Sequence, residues 1–266
     1  MAAKTDWRTE SGPFDIIGDV HGCADELQEL LAHLGYSLRI EGEGDDRRAY
    51  VQPPKGRRAF FVGDLVDRGP RSPDVLRIVV DMVAGGQALA VAGNHDDKFM
   101  RWLKGRNVKI ANGLEGTIAQ LDGEGETIRA RSLAFLESLP SHAWLDGGKL
   151  AVAHAGIREK MIGRDGPRIR DFGLYGDCDA RPGADGLPQR FDWSADYHGP
   201  VTVVYGHTPV ERPEWINNTL CIDTGCVYGN KLTALRWPER EIVSVPAKKA
   251  YAELKRGFGL PPPRVL

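Results

Sequence analysis

Short apolar runs recur along the chain, and most stop at a glycine or at a polar residue able to bind a ligand. "FDIIG" (Phe14 to Gly18), "AFFVG" (Ala59 to Gly63), "ALAVAG" (Ala88 to Gly93), "KLAVA" (Lys149 to Ala153), "VTVVYG" (Val201 to Gly206) and "TLCID" (Thr219 to Asp223) predict buried strands. Helical spacing follows the first two. Leu27, Leu30, Leu31 and Leu34 stand at i, i+3, i+4 and i+7, and Leu76, Val79, Val80 and Val83 repeat the pattern. Ser72 and Pro73 predict the N-cap and first residue of that second helix. A third helix is expected from near His95 through Phe99, Trp102 and Leu103.

Strands alternating with helices predict an α/β (α+β) fold class. After Gly206 the texture changes, and "LTALRW" (Leu232 to Trp237) and "EIVSV" (Glu241 to Val245) predict a hairpin. The stretch from Ile157 to Gly199 is rich in Gly, Pro, Arg and Asp and predicts a long irregular insertion. One domain is expected over residues 14–250, with tails at 1–13 and 251–266, the second of them frayed.

Composition narrows the class. With 266 residues, 41% hydrophobic and 27% charged, the chain can bury a full core. A formal charge of -2 gives no global attraction to duplex nucleic acid. No apolar run is long enough to span a membrane, and the first residues lack the apolar core of a signal peptide. A cytoplasmic protein with free thiols at Cys23, Cys178, Cys221 and Cys226 is expected. Cys221 and Cys226 form one CxxxxC pair without a second, a weak zinc signal.

The chemistry lies in where the polar residues fall. Asp19 and His21 follow the first strand, and Asp64, Asp67 and Arg68 the second. Asn94 and His95 follow the third, His154 the fourth, His207 the fifth and Asp223 the sixth. Ligands of open α/β sheets gather beyond the carboxyl ends of the strands, so these residues are expected to converge. Clustered carboxylates repel and need cations. One metal ion can be held by Asp19, His21 and Asp64, and a second by Asp64, Asn94, His154 and His207, with Asp64 as the bridge. Mixed oxygen and nitrogen ligands suit Mn²⁺, Fe²⁺ or Zn²⁺ better than Ca²⁺. Two such ions ~3.5–4 Å apart can activate a bridging water and clamp a phosphoryl group.

The ordered motifs "GDVHG" (18–22), "GDLVDRG" (63–69), "GNHD" (93–96), "HAG" (154–156) and "GHT" (206–208) resemble those of the calcineurin-like metallophosphoesterases, within them the phosphoprotein-phosphatase branch. The resemblance implies a central β-sandwich flanked by helices, with a dimetal site at the strand ends. From about Asp15 to Ala252 the chain is similar to the phosphatase domain of bacterial polynucleotide kinase-phosphatases. That implies Mn²⁺ or Ni²⁺ and phosphomonoesters or phosphodiesters of nucleotides or RNA ends, including 2′,3′-cyclic phosphates, as substrates. No GxxxxGK[ST] occurs, so a kinase loop is absent from this sequence and a stand-alone relative is expected. Related sequences also suggest a symmetrical diadenosine tetraphosphatase, and the shared metal core a serine/threonine protein phosphatase.

In the expected hydrolysis by a metal-activated hydroxide, Arg68 clamps two phosphate oxygens. Asn94 ligates a metal through its amide oxygen. His95 protonates the leaving alkoxide, and Asp67 holds the His95 ring. Asp223 orients His21, touches a metal, or caps the "DTG" turn. Asp96 and Asp97 are expected only to offset the dipole of the third helix. Arg170 and Tyr175, in an insertion that also carries Arg158, Lys160, Arg164 and Arg168, are the candidates for substrate binding, while Trp193, Tyr197 and Trp215 are expected to pack.

Overall fold

The computed structural model describes residues 4–182 and 188–264. Two five-stranded sheets form its centre. The first is built from β1 (Phe14–Ile17), β4 (Arg58–Phe61), β5 (Ala88–Ala90), β13 (Lys231–Trp237) and β14 (Glu241–Pro246), in the order β14-β13-β1-β4-β5. The second is built from β6 (His142–Leu145), β7 (Leu150–Ala153), β10 (Thr202–Tyr205), β11 (Trp215–Ile216) and β12 (Thr219–Cys221), in the order β11-β12-β10-β7-β6. Each sheet has a parallel triad at its heart: β1, β4 and β5 in one, β7, β10 and β12 in the other.

Period-2 alternation explains how the sheets meet. Phe14 and Ile16 of β1, Phe60 of β4, Leu150 and Val152 of β7, and Val204 of β10 point into one core shared by both sheets. The intervening residues face outward. Ile17, Ala59 and Phe61 pack under α1 (Ala24–His33) and α2 (Ser72–Ala84), whose leucines and valines fall at the expected spacing. Ala151, Ala153, Val203 and Tyr205 pack under the insertion. Asp15 is a charged residue buried in this apolar setting. Asp15 accepts hydrogen bonds from the Tyr36 hydroxyl at 3.0 Å, Arg57 at 3.1 Å and Arg236 at 3.2 Å, so its burial is compensated.

All eight predicted strands and the three predicted helices are present, the third as α3 (Asn94–Leu103). Four features differ from expectation. The chain between α1 and β4 forms a hairpin of β2 (Ser37–Glu41) and β3 (Arg48–Gln52), and two further helices, α4 (Leu114–Leu121) and α5 (Glu126–Ser138), precede β6. The insertion is not irregular throughout. It carries α6 (Pro167–Tyr175) and a ribbon of β8 (Asp177–Pro182) and β9 (Pro188–Phe191). Ser72 lies inside α2 rather than at its N-cap, and its hydroxyl turns to the Asp67 N–H at 3.3 Å. The segment expected to fray is tied down up to residue 264, its last two residues lying outside the described ones: Asp192 N–H donates to Pro262, and Arg264 pairs with Asp177 at 2.7 Å. No described helix is long and apolar enough to cross a membrane.

Candidate active site

The carboxyl ends of the two parallel triads open on one edge of the sandwich. The loops after β1, β4 and β5 bring Asp19, His21, Asp64, Asp67, Arg68, Asn94 and His95 there. The loops after β7, β10 and β12 bring His154, His207 and Asp223. The backbone is bent hard to do so. His21, Asp64, Asp67, Arg68 and His207 all have positive φ, between 44° and 73°. Non-glycine residues adopt that region only when their surroundings hold them there, and such residues concentrate at functional sites. Gly206 allows a close approach, since a Cβ there would lie 1.9 Å from Asp19 Oδ1.

Asp64 is the centre. Its Oδ2 lies 3.4 Å from His21 Nε2 and its Oδ1 3.4 Å from His154 Nε2. The far side of each ring fixes its tautomer. His21 Nδ1 donates to the Val66 carbonyl at 2.8 Å, and His154 Nδ1 to the Val62 carbonyl at 3.2 Å. Both Nε2 atoms therefore carry lone pairs into the site. Around His154 Nε2 gather His207 Nδ1 and Asn94 Oδ1, each at 3.0 Å. His21 Nε2 receives the Arg68 guanidinium at 2.5 Å. Two groups of donor atoms close enough to hold an ion result: Asp64 with His154 and His207, and Asp64 with His21 and His95.

Burial governs the charges. It pushes His21, His154 and His207 below the usual imidazole range, helped at His21 by Arg68 and at His207 by Arg190. Neutral imidazoles are the form that ligates metals. Burial pushes Asp19 well up, with the Asp223 and Asp64 carboxylates adding to the shift, and pushes Asp223 up to about 7. Burial opposes the charge of Asp64 as well, but the surrounding imidazoles outweigh it and hold that carboxyl below its ordinary value. Converging lone pairs, carboxylates that resist ionising for want of positive charge, and a buried His207 Nε2 without a partner among the described residues together fit a site for cations.

The remaining residues divide by contact. His95 Nδ1 donates to Asp67 Oδ2 at 2.6 Å, while Asp67 Oδ1 accepts the Thr117 hydroxyl at 2.7 Å. Asp19 accepts the His207 N–H at 3.2 and 3.0 Å. Asp223 does not orient His21, whose Nδ1 is taken by Val66; it accepts the Gly225 N–H at 2.9 Å and so caps the "DTG" turn. Asp96 does more than offset a dipole. Buried, it accepts the Leu65 N–H at 2.9 Å and the Gly93 N–H at 3.0 Å, stapling two site loops, and burial with Asp64 nearby pushes it up to about 8.

The insertion contributes differently from expectation. Arg170 donates to Asp97 at 2.6 Å, and Arg158 to Asp177 at 2.7 Å. Trp193 and Tyr197 are buried in an aromatic cluster with Phe172 and Tyr205, as expected, while Trp215 lies half-exposed beneath Arg240. A cavity beside His207 is lined by Tyr175, Arg190, Phe191, Trp193, Tyr205 and Thr208. Arg190, carried on β9 opposite Cys178, has no hydrogen bond or ion pair to a described residue, yet its charge is felt at His207, His154 and Asp223. Sequence reading missed it. The one signal available was its place in an arginine-rich insertion.

Comparison with known proteins follows the same lines. A family model described as calcineurin-like phosphoesterase matches residues 12–239. An asymmetrical bis(5′-nucleosyl)-tetraphosphatase of Anoxybacillus flavithermus is 47% identical over 250 residues, covering 92% of this chain and 99% of the relative. The protein of the same name from Bacillus subtilis is 44% identical over 244 residues, covering 90% of this chain and 97% of the relative. Two solved structures share the fold. A putative diadenosine tetraphosphatase matches with a TM-score of 0.65 at 24% identity, covering 93% of this chain and 99% of that one. A serine/threonine phosphatase of Saccharomyces cerevisiae matches with a TM-score of 0.58 at 14% identity, covering 95% and 85%.

Proposed function

The chain belongs to the calcineurin-like phosphoesterases, phosphoester hydrolases with a dinuclear divalent metal site, and from that premise we propose that it hydrolyses the phosphate bridge of dinucleoside tetraphosphates. The observation that carries the substrate is the likeness of nearly the whole chain to tetraphosphatases, at 47% identity over 92% of its length. The site's two guanidinium groups support it. Arg68 stands beside His21 and Arg190 acts on His207, so cationic forks flank both imidazole groups that meet at Asp64. A chain of phosphates offers more anionic oxygens than one monoester and can engage both forks.

Asp19, His21 and Asp64 would hold one ion, and Asp64, Asn94, His154 and His207 the other, with Mn²⁺ the first choice for such mixed oxygen and nitrogen donors; His95, whose ring also lies within reach of His21 and Asp64, is kept for the proton. When bound, the ions supply Lewis-acid charge and an activated water. The protein's own residues do the rest. Arg68 and Arg190 bind non-bridging oxygens and orient the phosphorus under attack. With Nδ1 committed to Asp67 at 2.6 Å, His95 presents Nε2 to the substrate and delivers a proton to the leaving oxygen. Asp67 sets the ring angle and sustains the imidazolium before transfer.

Purified protein with added Mn²⁺ tests the reading on a panel of diadenosine tetraphosphate, 2′,3′-cyclic nucleotides, RNA 3′-phosphate, a phosphopeptide and p-nitrophenyl phosphate. The highest kcat/KM is expected on diadenosine tetraphosphate. A preference for cyclic nucleotides or RNA ends would move the reading to end repair, and a preference for phosphopeptide would sink the nucleotide reading.

A further inference from the structure

We infer that Thr117 is a positioning residue for the reaction, acting through Asp67 on His95; this rests on the hydrolase reading above. Thr117 lies in the middle of α4, a helix that joins neither sheet and gives no side chain to the metal-binding groups. It is wholly buried, and its hydroxyl faces Asp67. The hydroxyl donates to Asp67 Oδ1 at 2.7 Å and accepts the Asp67 N–H at 3.0 Å. The His95 imidazole takes the other oxygen, Oδ2. Two donors on two oxygens fix the plane of the carboxylate, and that plane fixes the imidazole. Without the hydroxyl, the carboxylate can rotate about its terminal torsion, which is soft, and the ring rotates with it.

The backbone shows why such a clamp is needed. Asp67 and Arg68 are consecutive residues with φ of 73° and 71°, a conformation that persists only when over-determined by its surroundings. The segment 113–120 supplies three holds. Gly113, at φ 99°, lies so close behind the loop that a Cβ there would stand 2.4 Å from Arg68 N. One turn after Thr117, Gln120 donates to the Gly69 carbonyl at 3.0 Å and accepts the Ser72 N–H at 2.7 Å. Thr117 is the hold whose hydrogen bond goes directly to the Asp67 carboxylate.

The test compares wild type with Thr117→Ser, Thr117→Ala and Thr117→Val in Mn²⁺, on one phosphomonoester that releases nitrophenolate and one that releases an alkoxide. Metal content and circular dichroism are recorded alongside. The Ala and Val variants should lose roughly 10-fold in kcat on the alkyl ester, where proton delivery matters, and under about twofold on the nitrophenyl ester. Thr117→Ser, which keeps the donor, should stay within about twofold of wild type on both. Equal losses on the two esters, with or without loss of fold, overturn the positioning role and leave Thr117 as packing. So does a Ser variant as slow as the Ala variant. Wild-type protein inactive on both esters and on diadenosine tetraphosphate removes the hydrolase reading itself.

Discussion

The Asp67 carboxylate accepts a hydrogen bond from His95 Nδ1 at 2.6 Å, with both side chains buried. The pair leaves one imidazole nitrogen, Nε2, for chemistry, and it makes a claim about leaving groups. His95→Ala should retain metal and fold but lose roughly 10²–10⁴ in kcat on esters with poor leaving groups. Nitrophenyl esters, whose phenolate departs without help, should lose far less. Rates on a series of aryl and alkyl phosphates check this, and an equal loss across the series argues against proton delivery.

Asp64 offers one oxygen to each of two histidines, His21 and His154, at 3.4 Å in both cases. A residue shared in this way cannot be replaced without affecting both ions. Asp64→Asn should lower the bound metal measured by elemental analysis to less than one ion per chain. Retention of two ions would show that the bridge is dispensable.

Much of this site could be read from the sequence because each ligand follows a strand, and strands announce themselves by short apolar runs. The fold around it was legible for the same reason. What escaped reading acts across the chain. Thr117 reaches Asp67 over fifty positions, and nothing local in "LEGTIAQL" marks its hydroxyl as anything but a helix-surface group. Ser72 had the sequence of a good N-cap, but its hydroxyl turns to the Asp67 N–H and to the Thr117 hydroxyl, forty-five positions away, each at 3.3 Å. Asp96 looked like a first-turn acid, and its stapling of Leu65 and Gly93 appears only once the two loops are side by side. Arg170 stood out by density of charge, whereas Arg190, without a carboxylate partner among the described residues, carries the charge felt at the site.

That difference between the two arginines is measurable. Arg190→Ala should lower kcat/KM on diadenosine tetraphosphate by about 10–100-fold, the usual scale for one lost charge-assisted hydrogen-bonding group. Arg190→Lys should fall between, since an ammonium keeps the charge without the fork. Because burial and Arg256 depress the Arg190 guanidinium and no carboxylate among the described residues pairs with it, removing it should leave the melting temperature unchanged or raise it. Arg170→Ala, which only breaks a half-exposed pair with Asp97, should change kcat/KM little. Equal effects of the two substitutions would deny Arg190 a place in substrate binding.

Stability should depend on pH through a histidine remote from the chemistry. His142, at the start of β6, is fully buried; its Nε2 accepts the Gly163 N–H at 3.0 Å, so that nitrogen has no room for a proton. Burial, opposed weakly by Asp165, pushes its pKa down to about 4 from the ordinary imidazole value of 6.5. The unfolded chain therefore takes up this proton first as pH falls. The contribution is fully present above pH ~6.5, declines below it, and is lost as pH nears ~4, with a total of about 3 kcal/mol. Urea unfolding of wild type and His142→Gln at pH 7 and pH 4.5 measures it. Other groups contribute equally to both proteins, so the quantity to compare is the difference in how far each is destabilised by acid. Wild type should lose about 2–3 kcal/mol more than the variant over that interval; parallel losses would mean that His142 protonates in the folded protein as readily as in the unfolded one.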